Sequence, residues 1–347
     1  MKVVTDSGSF KSLRPLVVAL GNFDGVHKGH QEIFRVAKER ANAISGNAGV
    51  LTFERHPQHV LHADGKPILL TSFYQKLSLL SDTKIDLCFV LQFTEEFSKK
   101  SPEQFVQEII INKLGVQSIV MGFNARFGNA RTGDSHAMKK MAAALKFDFF
   151  EVGPVEIEDV SISSTLIRKL VEEGHFEQAE RFLGRPYSFY GIVVNGNGRG
   201  KRLGYPTANL NPQSEVLPPR GVYAVWVNII EDQISEKTAQ GYRHTKRIVQ
   251  ESLLGALNYG VRPTFGGAEK PVMEVHLLDW QGELRGKTLE IRLVKKIRDE
   301  KRFSDEQSLI AQIKDDVRVV RESLKPFQSA ADSGSSMIAN AVSAGSY

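Results

Sequence analysis

Up to about residue 183, short apolar runs alternate with longer stretches whose apolar residues return every three or four positions. The runs predict strands at 16–20 (LVVAL), 50–53 (VLTF), 86–93 (DLCFVLQF), 118–122 (SIVMG) and 147–152 (FDFFEV). After the first, Ile33, Phe34, Ala37, Ala41 and Ile44 recur at helical spacing. Ser101-Pro102-Glu103-Gln104 reads as a capping box with proline at the first helical position, opening a helix through Phe105, Ile109 and Leu114. Strand-helix alternation of this kind predicts an α/β fold with a doubly wound parallel sheet, whose sites sit outside the carboxyl ends of the strands. Beyond Leu183-Gly184-Arg185-Pro186 the pattern changes. FYGIVVN, GVYAVWVNI, LLGALNYG, VMEVHLLDW and KTLEIRLV are separated by Gly, Pro and Asn clusters, which predicts a small antiparallel β-barrel. Ser304-Asp305-Glu306-Gln307 then opens a closing helix with Leu309, Ile310, Ile313, Val317 and Val320 on its apolar face. Two domains are expected, 1–185 and 186–325. Residues 326–347, small and polar without periodicity, are expected to be a disordered tail. Because the barrel and its helix carry their own apolar faces, a fragment from about Pro186 is expected to fold alone.

Composition narrows the classes. The 347 residues are 41% hydrophobic and 24% charged, which excludes a largely disordered chain. No apolar run approaches the ~18 residues that cross a bilayer, so no membrane partner is expected. The polar N-terminus lacks a secretory core, and the single cysteine, Cys88, has no internal partner; a cytoplasmic, reducing setting is expected. The net charge of +5 invites a nucleic-acid reading. The richest basic stretch, KKIRDEKR at 295–302, contains Asp299 and Glu300, so a solvated mixed-charge loop is expected and nucleic acid is not. Small anionic substrates would use the positive balance equally well.

Chemistry concentrates first in ALGNFDGVHKGHQEIF, 19–34. A buried strand runs into a glycine-rich turn and then a helix. Gly21 and Gly25 let the chain bend, Gly29 opens the helix start to a ligand, and His27 and His30 share one face of the first turn. Two imidazoles beside a helix N-terminus can bind a triphosphate and stabilise charge at its α-phosphorus. A metal reading lacks acidic or cysteine partners at matching spacing. ISSTLIR, 162–168, offers the hydroxyls of Ser163, Ser164 and Thr165 at another helix start, with Arg168 one turn on, which suits a leaving pyrophosphate. In the second half, NGNGRGKRLGYPTANL places Gly196, Gly198 and Gly200 before Thr207 and Asn209. No GK[ST] follows, so this is no P-loop. Thr207 and Asn209 share one face of an extended chain and offer two hard oxygens to a Mg²⁺ held mainly by ATP. Glu274, acidic on a strand-like run, is either outward-facing beside His276 or a general base.

These strings together carry a resemblance. GNFDGVHKGHQ, LTFERHPQHVL, MGFNARFGNARTGD and ISSTLIRKLVEEGHFEQAERFLGRPY, in that order, resemble the FMN adenylyltransferase half of the prokaryotic bifunctional riboflavin kinase/FAD synthetases. GYPTANL, PPRGVYAV, NYGVRPTFGG, EVHLLD and LRGKTLEIRLVKKIRDEKRFSD resemble the family's riboflavin kinase domain. The resemblance implies synthesis of FMN from riboflavin and ATP, then of FAD from FMN and a second ATP, with Mg²⁺. It implies contacts to nucleotide from Gly21, Asn22, Phe23, Gly29, Ser163, Ser164 and the barrel loop, and to flavin from His56, Pro57, Asn124 and Arg126. His27, His30 and Arg168 are implied as adenylyl-transfer residues, Glu274 as the kinase base, and Thr207 and Asn209 as metal and nucleotide residues. Phe123 departs from the family, standing where many relatives have an acidic residue; Lys201 and Tyr205 replace arginine and phenylalanine. Two other readings remain open at this level: a chain with only a working kinase half, and a flavin-binding regulator. Intact HxGH and Glu274 argue against the second. The polar stretch EDQISEKTAQGYRHTKRIVQ reads as a lengthened hairpin loop with no assigned role.

Overall fold

The computed structural model describes residues 1–5, 10, 12–61, 68–196, 198–213, 216–238, 241–263 and 269–332. The strands in chain order are β1 (Lys2–Val4), β2 (Leu16–Leu20), β3 (Asn47–Phe53), β4 (Leu87–Leu91), β5 (Ser118–Gly122), β6 (Asp148–Val152), β7 (Glu156–Ile157), β8 (Val160–Ser161), β9 (Ser188–Val194), β10 (Ala208–Pro212), β11 (Gly221–Thr238), β12 (Gly241–Pro263), β13 (Glu269–Leu277) and β14 (Thr288–Arg298). The helices used below are α1 (Lys28–Ala43), α2 (Phe73–Asp82), α3 (Ser135–Leu145), α4 (Ser164–Glu173), α5 (Phe176–Leu183) and α6 (Glu306–Asp332).

The first half is doubly wound, as its pattern predicts. Strands β1-β4-β3-β2-β5-β6 are parallel neighbours in that order. Their side chains alternate between two buried faces. Leu16, Val18, Leu51, Phe89, Ile119 and Met121 meet the 105–114 helix and α3. Val17, Ala19, Val50, Cys88 and Val120 meet α1 and α2 on the other side. Of the predicted α1 face, Ile33, Phe34, Ala37 and Ala41 are buried, but Ile44 lies past the helix end and is exposed. The capping box at Ser101 forms, and its helix then widens into a π-helix over Phe105–Lys113.

The second half closes as a six-stranded antiparallel barrel, β11-β14-β9-β10-β13-β12, sealed by β11 on β12. Helix α6 lies against it through Val320 and Leu324, with Val317 alongside. Asp305, rather than Ser304, caps that helix by accepting from Ser308 N at 2.7 Å. The helix continues to Asp332, seven residues into the stretch expected as tail; residues 333–347 lie outside the described residues.

Two features join the halves. The polar stretch expected as a hairpin loop is paired strand, since β11 and β12 extend it far beyond the barrel. Its tip pairs antiparallel with β1, at Lys2↔Arg243, Val3↔Tyr242 and Val4↔Gly241, while β1 pairs parallel with β4. One continuous sheet therefore runs through both halves. The second feature is the core. Ile167, Leu170 and Val171 of α4 and Phe176, Ala179 and Phe182 of α5 belong to the same buried cluster as Tyr223, Val225, Leu257 and Leu289 of the barrel. The barrel core thus extends across residue 186 onto α4 and α5, beyond the fragment from Pro186 that was expected to fold alone.

A fragment beginning at Ile162 keeps α4 and α5; one beginning at Pro186 leaves their barrel contacts in water, at roughly 1.5–3 kcal/mol per large side chain uncovered. Urea unfolding followed by circular dichroism should give the shorter fragment the lower midpoint or no cooperative transition. Equal midpoints would contradict the shared core.

Candidate active sites

Strands β2 and β5 are neighbours, and the chain leaves them toward opposite edges of the sheet. The carboxyl ends of such a pair form the crevice of a doubly wound fold. A cleft of about 780 Å³ opens there, lined from the ends of β2, β3, β5 and β6 and the start of α4. Every N-terminal site residue expected from the sequence lines it: Gly21, Asn22, Phe23, His27, Gly29, His30, His56, Pro57, Asn124, Arg126, Ser163, Ser164 and Arg168.

The two histidines meet because the chain enters α1 through His27. This residue is the N-cap (φ −74°, ψ 170°), and its Nδ1 accepts from His30 N at 3.3 Å. The imidazoles stack with centroids 3.5 Å apart and planes 18° from parallel. A Cβ on Gly29 would come within 3.2 Å of the His27 ring. Gly29 therefore seats the His27 imidazole as well as lining the cleft. Burial first, then the Arg185 charge, pushes the His27 pKa down to about 4. Burial and the neighbouring His27, Lys76 and Arg185 hold His30 well below the ordinary histidine value. Both rings are neutral at pH 7.

The turn before His27 is held by a group the sequence did not single out. Asp24 is buried, and its carboxylate accepts from Leu70 N (3.1 Å), Thr71 N (3.1 Å), Thr71 Oγ1 (3.2 Å) and Arg168 Nη2 (3.1 Å). Ser164 Oγ donates to the Asp24 carbonyl at 3.0 Å, and Ser163 caps α4 by accepting from Leu166 N. Arg168 and Ser164 thus reach the turn together, from the start of one helix. Lys76 was also missed. Its buried ammonium donates to Asn22 O, Thr52 Oγ1 and Phe53 O, and burial brings its pKa down to about 8. Asn22 Nδ2 lies 3.2 Å from His56 Nε2. On the opposite rim Arg126 reaches Asp134 only at 3.9 Å, and Phe123 presents a ring 40% exposed. The cleft combines polar groups and helix N-termini with an apolar wall of Phe53, Phe97, Phe105 and Phe127, a lining for a molecule with an anionic part and a flat aromatic part.

On the barrel, Met273 and Val275 point into the core and Glu274 points out, as strand alternation requires. Glu274 stands opposite Asn209 of β10 and Asn258 of β12. Thr207 Oγ1 donates to Glu274 Oε2 at 3.2 Å. Its hydrogen is engaged there, so its lone pairs are left for a cation. His276, one step along the same face, lies with Nδ1 2.8 Å from Pro206 O and holds the PTAN segment. Neither His276 nor Asn258 was singled out as a site residue. Two of the three loop glycines are explained by the same cluster. A side chain on Gly196 would run into Asn209, and a Cβ on Gly200 would run into the Tyr205 carbonyl and lie 2.9 Å from Thr207 Oγ1. Gly198 (φ 65°) has no atom within 4 Å of such a position and stands apart from the cluster. Among the described residues no group of three or more His, Cys, Asp and Glu is placed to hold an ion by itself. The hard oxygens of Thr207 and Asn209 are of the kind that could hold a Mg²⁺.

Comparison with known proteins agrees with this division. The FAD synthetase family model matches residues 9–166 and the riboflavin kinase model residues 183–324. A bifunctional riboflavin kinase/FMN adenylyltransferase of Bacillus subtilis (strain 168) is 36% identical over 306 residues, covering 86% of this chain and 90% of the relative. One of Buchnera aphidicola subsp. Acyrthosiphon pisum is 32% identical over 324 residues, covering 93% and 98%. A solved structure titled as a macrolide-efflux protein of Streptococcus pneumoniae superposes with a TM-score of 0.75 at 29% identity, covering 92% of this chain and 98% of that one. Among the described residues no helix of this chain is long and apolar enough to cross a membrane. With both halves matched in order, the chain belongs to the bifunctional riboflavin kinase/FMN adenylyltransferase family.

Proposed function

We propose that the two sites divide two consecutive reactions, with residues 186–325 acting as riboflavin kinase and residues 1–185 as FMN adenylyltransferase. The observation that carries this reading is the presence, in one chain, of two unlike constellations: the stacked His27–His30 pair on a helix start, and the Thr207–Glu274 pair on the barrel.

In the barrel, Glu274 takes the proton from the riboflavin 5′-hydroxyl as its oxygen attacks the γ-phosphorus of ATP, and ADP leaves. Thr207 orients the Glu274 carboxylate by its hydrogen bond, and the loop at Gly196 and Gly200 lets phosphates approach. Thr207 and Asn209 would hold Mg²⁺, which supplies neutralisation of phosphate charge. In the cleft an FMN phosphate oxygen attacks the α-phosphorus of a second ATP, and pyrophosphate leaves. This nucleophile is already ionised, so no base is required. Neutral His27 and His30 serve as N–H donors to phosphate oxygens, with Arg168, Ser163 and Ser164 at the second helix start toward the leaving group. His56, Pro57, Asn124 and Arg126 face the flavin part. Lys296 and Arg298 are paired with Asp299 and Asp316, which supports reading 295–302 as a mixed-charge loop rather than a nucleic-acid surface. Cys88 is buried with its thiol pKa pushed up to about 12, in keeping with an inert thiol in a reducing cytoplasm.

Incubated with riboflavin, ATP and Mg²⁺, the purified chain should give both FMN and FAD by chromatography. Glu274→Gln should lower FMN formation ~10²- to 10⁴-fold while adenylylation of supplied FMN continues near the wild-type rate. FMN without FAD in the wild type would leave only the kinase reading, and a fully active Glu274→Gln would make that residue structural.

The neutral His27 also sets a pH dependence. Its folded pKa of about 4 lies below the unfolded 6.5, so the unfolded chain takes up the proton first as pH falls. Stability is therefore lost between pH 6.5 and pH 4. At pH 5 this one group should cost about 2 kcal/mol. In urea titrations at pH 7 and pH 5, His27→Asn, which keeps a cap acceptor, should lose less stability than wild type by that amount. Equal losses would mean His27 is not held neutral.

A further inference from the structure

The carbonyl side of the adenylyl-transfer turn is held from the linker. Three consecutive-region residues of this turn have positive φ: Phe23 (54°), Gly25 (81°) and Val26 (43°). For β-branched Val26 that is a strained conformation that surrounding contacts must impose. Arg185 supplies them. Its Nη2 donates to Gly25 O at 2.7 Å and its Nη1 to Val26 O at 3.2 Å, while Gln31 Nε2 ties Val26 O to Leu183 O at 3.0 Å each. The chain on either side of Arg185 is anchored, to the first half before it and to the barrel after it. Gly184 ends α5 with φ 77°, and a Cβ there would come within 3.3 Å of the Lys28 side chain, so linker and α1 are in direct contact. On the other side Tyr187 is bound into the barrel, its carbonyl accepting from Leu293 N and its hydroxyl donating to Val216 O.

We propose that Arg185 is a positioning residue for adenylyl transfer, holding the Gly25–Val26 carbonyls so that His27 enters α1 with its ring stacked on His30, and that the barrel's attachment thereby sets the geometry of the other site. The proposal rests on the reading of the cleft as the FMN adenylyltransferase site. Arg185 is partly buried, and its charge is offset by the carboxylates of Glu290 in the barrel and Asp82 in α2. Glu290 in turn accepts from Ser188 Oγ and Asn228 Nδ2, and Gln75 of α2 donates to Ser188 O at 2.8 Å. Arg185 thus stands at the edge of a buried polar cluster contributed by both halves. A lysine does not reproduce this geometry, because its single ammonium nitrogen ends one bond short of the two separate Nη atoms that meet the two carbonyls.

The test uses the full chain with two assays, FAD from supplied FMN and FMN from riboflavin. Arg185→Ala should lower kcat for FAD formation ~10²-fold, the scale expected when a reacting group is misplaced by about 1 Å, with KM for ATP changed little. FMN formation should stay within about twofold of wild type, and added methylguanidinium should restore FAD formation at least ~tenfold. Arg185→Lys, which keeps the buried charge and serves if the alanine variant does not fold, should remain low in FAD formation. FAD formation near wild type in either folded variant would overturn the proposal. So would an equal fall of both activities, or no response to methylguanidinium. Wild-type FAD formation, run alongside, separates failure of this proposal from failure of the reading beneath it.

Discussion

A buried carboxylate, that of Asp24, is the constraint on which the adenylyl-transfer half depends. An acidic side chain out of water is costly unless every lone pair is met. Asp24 meets its need with two backbone N–H groups, a hydroxyl and a guanidinium, all drawn from segments that the fold must bring to one place. The residues at 70–71 belong to the run before α2, and Arg168 belongs to α4. With Asp24 satisfied on one side of the turn after β2 and the Gly25 and Val26 carbonyls held by Arg185 on the other, His27 falls at the cap of α1, and Ser164 and Arg168 stand beside it. The arrangement is preorganised in the protein alone, which is where electrostatic catalysis gains most.

The same economy extends to the whole chain. Helices α4 and α5 carry the cleft's second helix start at one end and bury their apolar faces in the barrel core along their length. Strand β1 is shared between the parallel sheet and the long β11–β12 hairpin. The two clusters of polar side chains stand apart, one in the cleft and one on the barrel, yet the frame that holds them is continuous. Consecutive reactions on one chain need only the sites; the shared core and the clasp make the relative placement of the halves a fixed property of the fold.

Much of this was legible in the sequence, because local patterns carry local information. Short apolar runs marked the central strands of both halves and period-3.6 hydrophobicity the helices beside them, and the paired histidines, PTAN and Glu274 are compact enough to stand out. What escaped are residues that act through distant partners. Asp24 looks like one acidic residue in a glycine-rich turn until Thr71 and Arg168 arrive. Lys76 sits in an ordinary amphipathic helix, and Arg185 reads as part of a linker. The hairpin 231–250 was missed as paired strand because its side chains are polar, and β1 because three residues show no period. The boundary at 186 follows a real change of pattern, but hydrophobic pattern tells which residues are buried and not against what, so the continuity of the core across it was invisible.

The most direct measurement is Asp24→Asn, assayed in the full chain for both products. The amide is the same size but replaces one acceptor oxygen with a donor, which would face either the Leu70 and Thr71 N–H groups or the Arg168 guanidinium. With the fold verified by circular dichroism, FAD formation from supplied FMN should fall ~10²-fold or more, as for a misplaced reacting group, while FMN formation from riboflavin stays within about twofold. FAD formation at the wild-type rate would contradict the account, since the turn would then keep its working shape without the buried carboxylate.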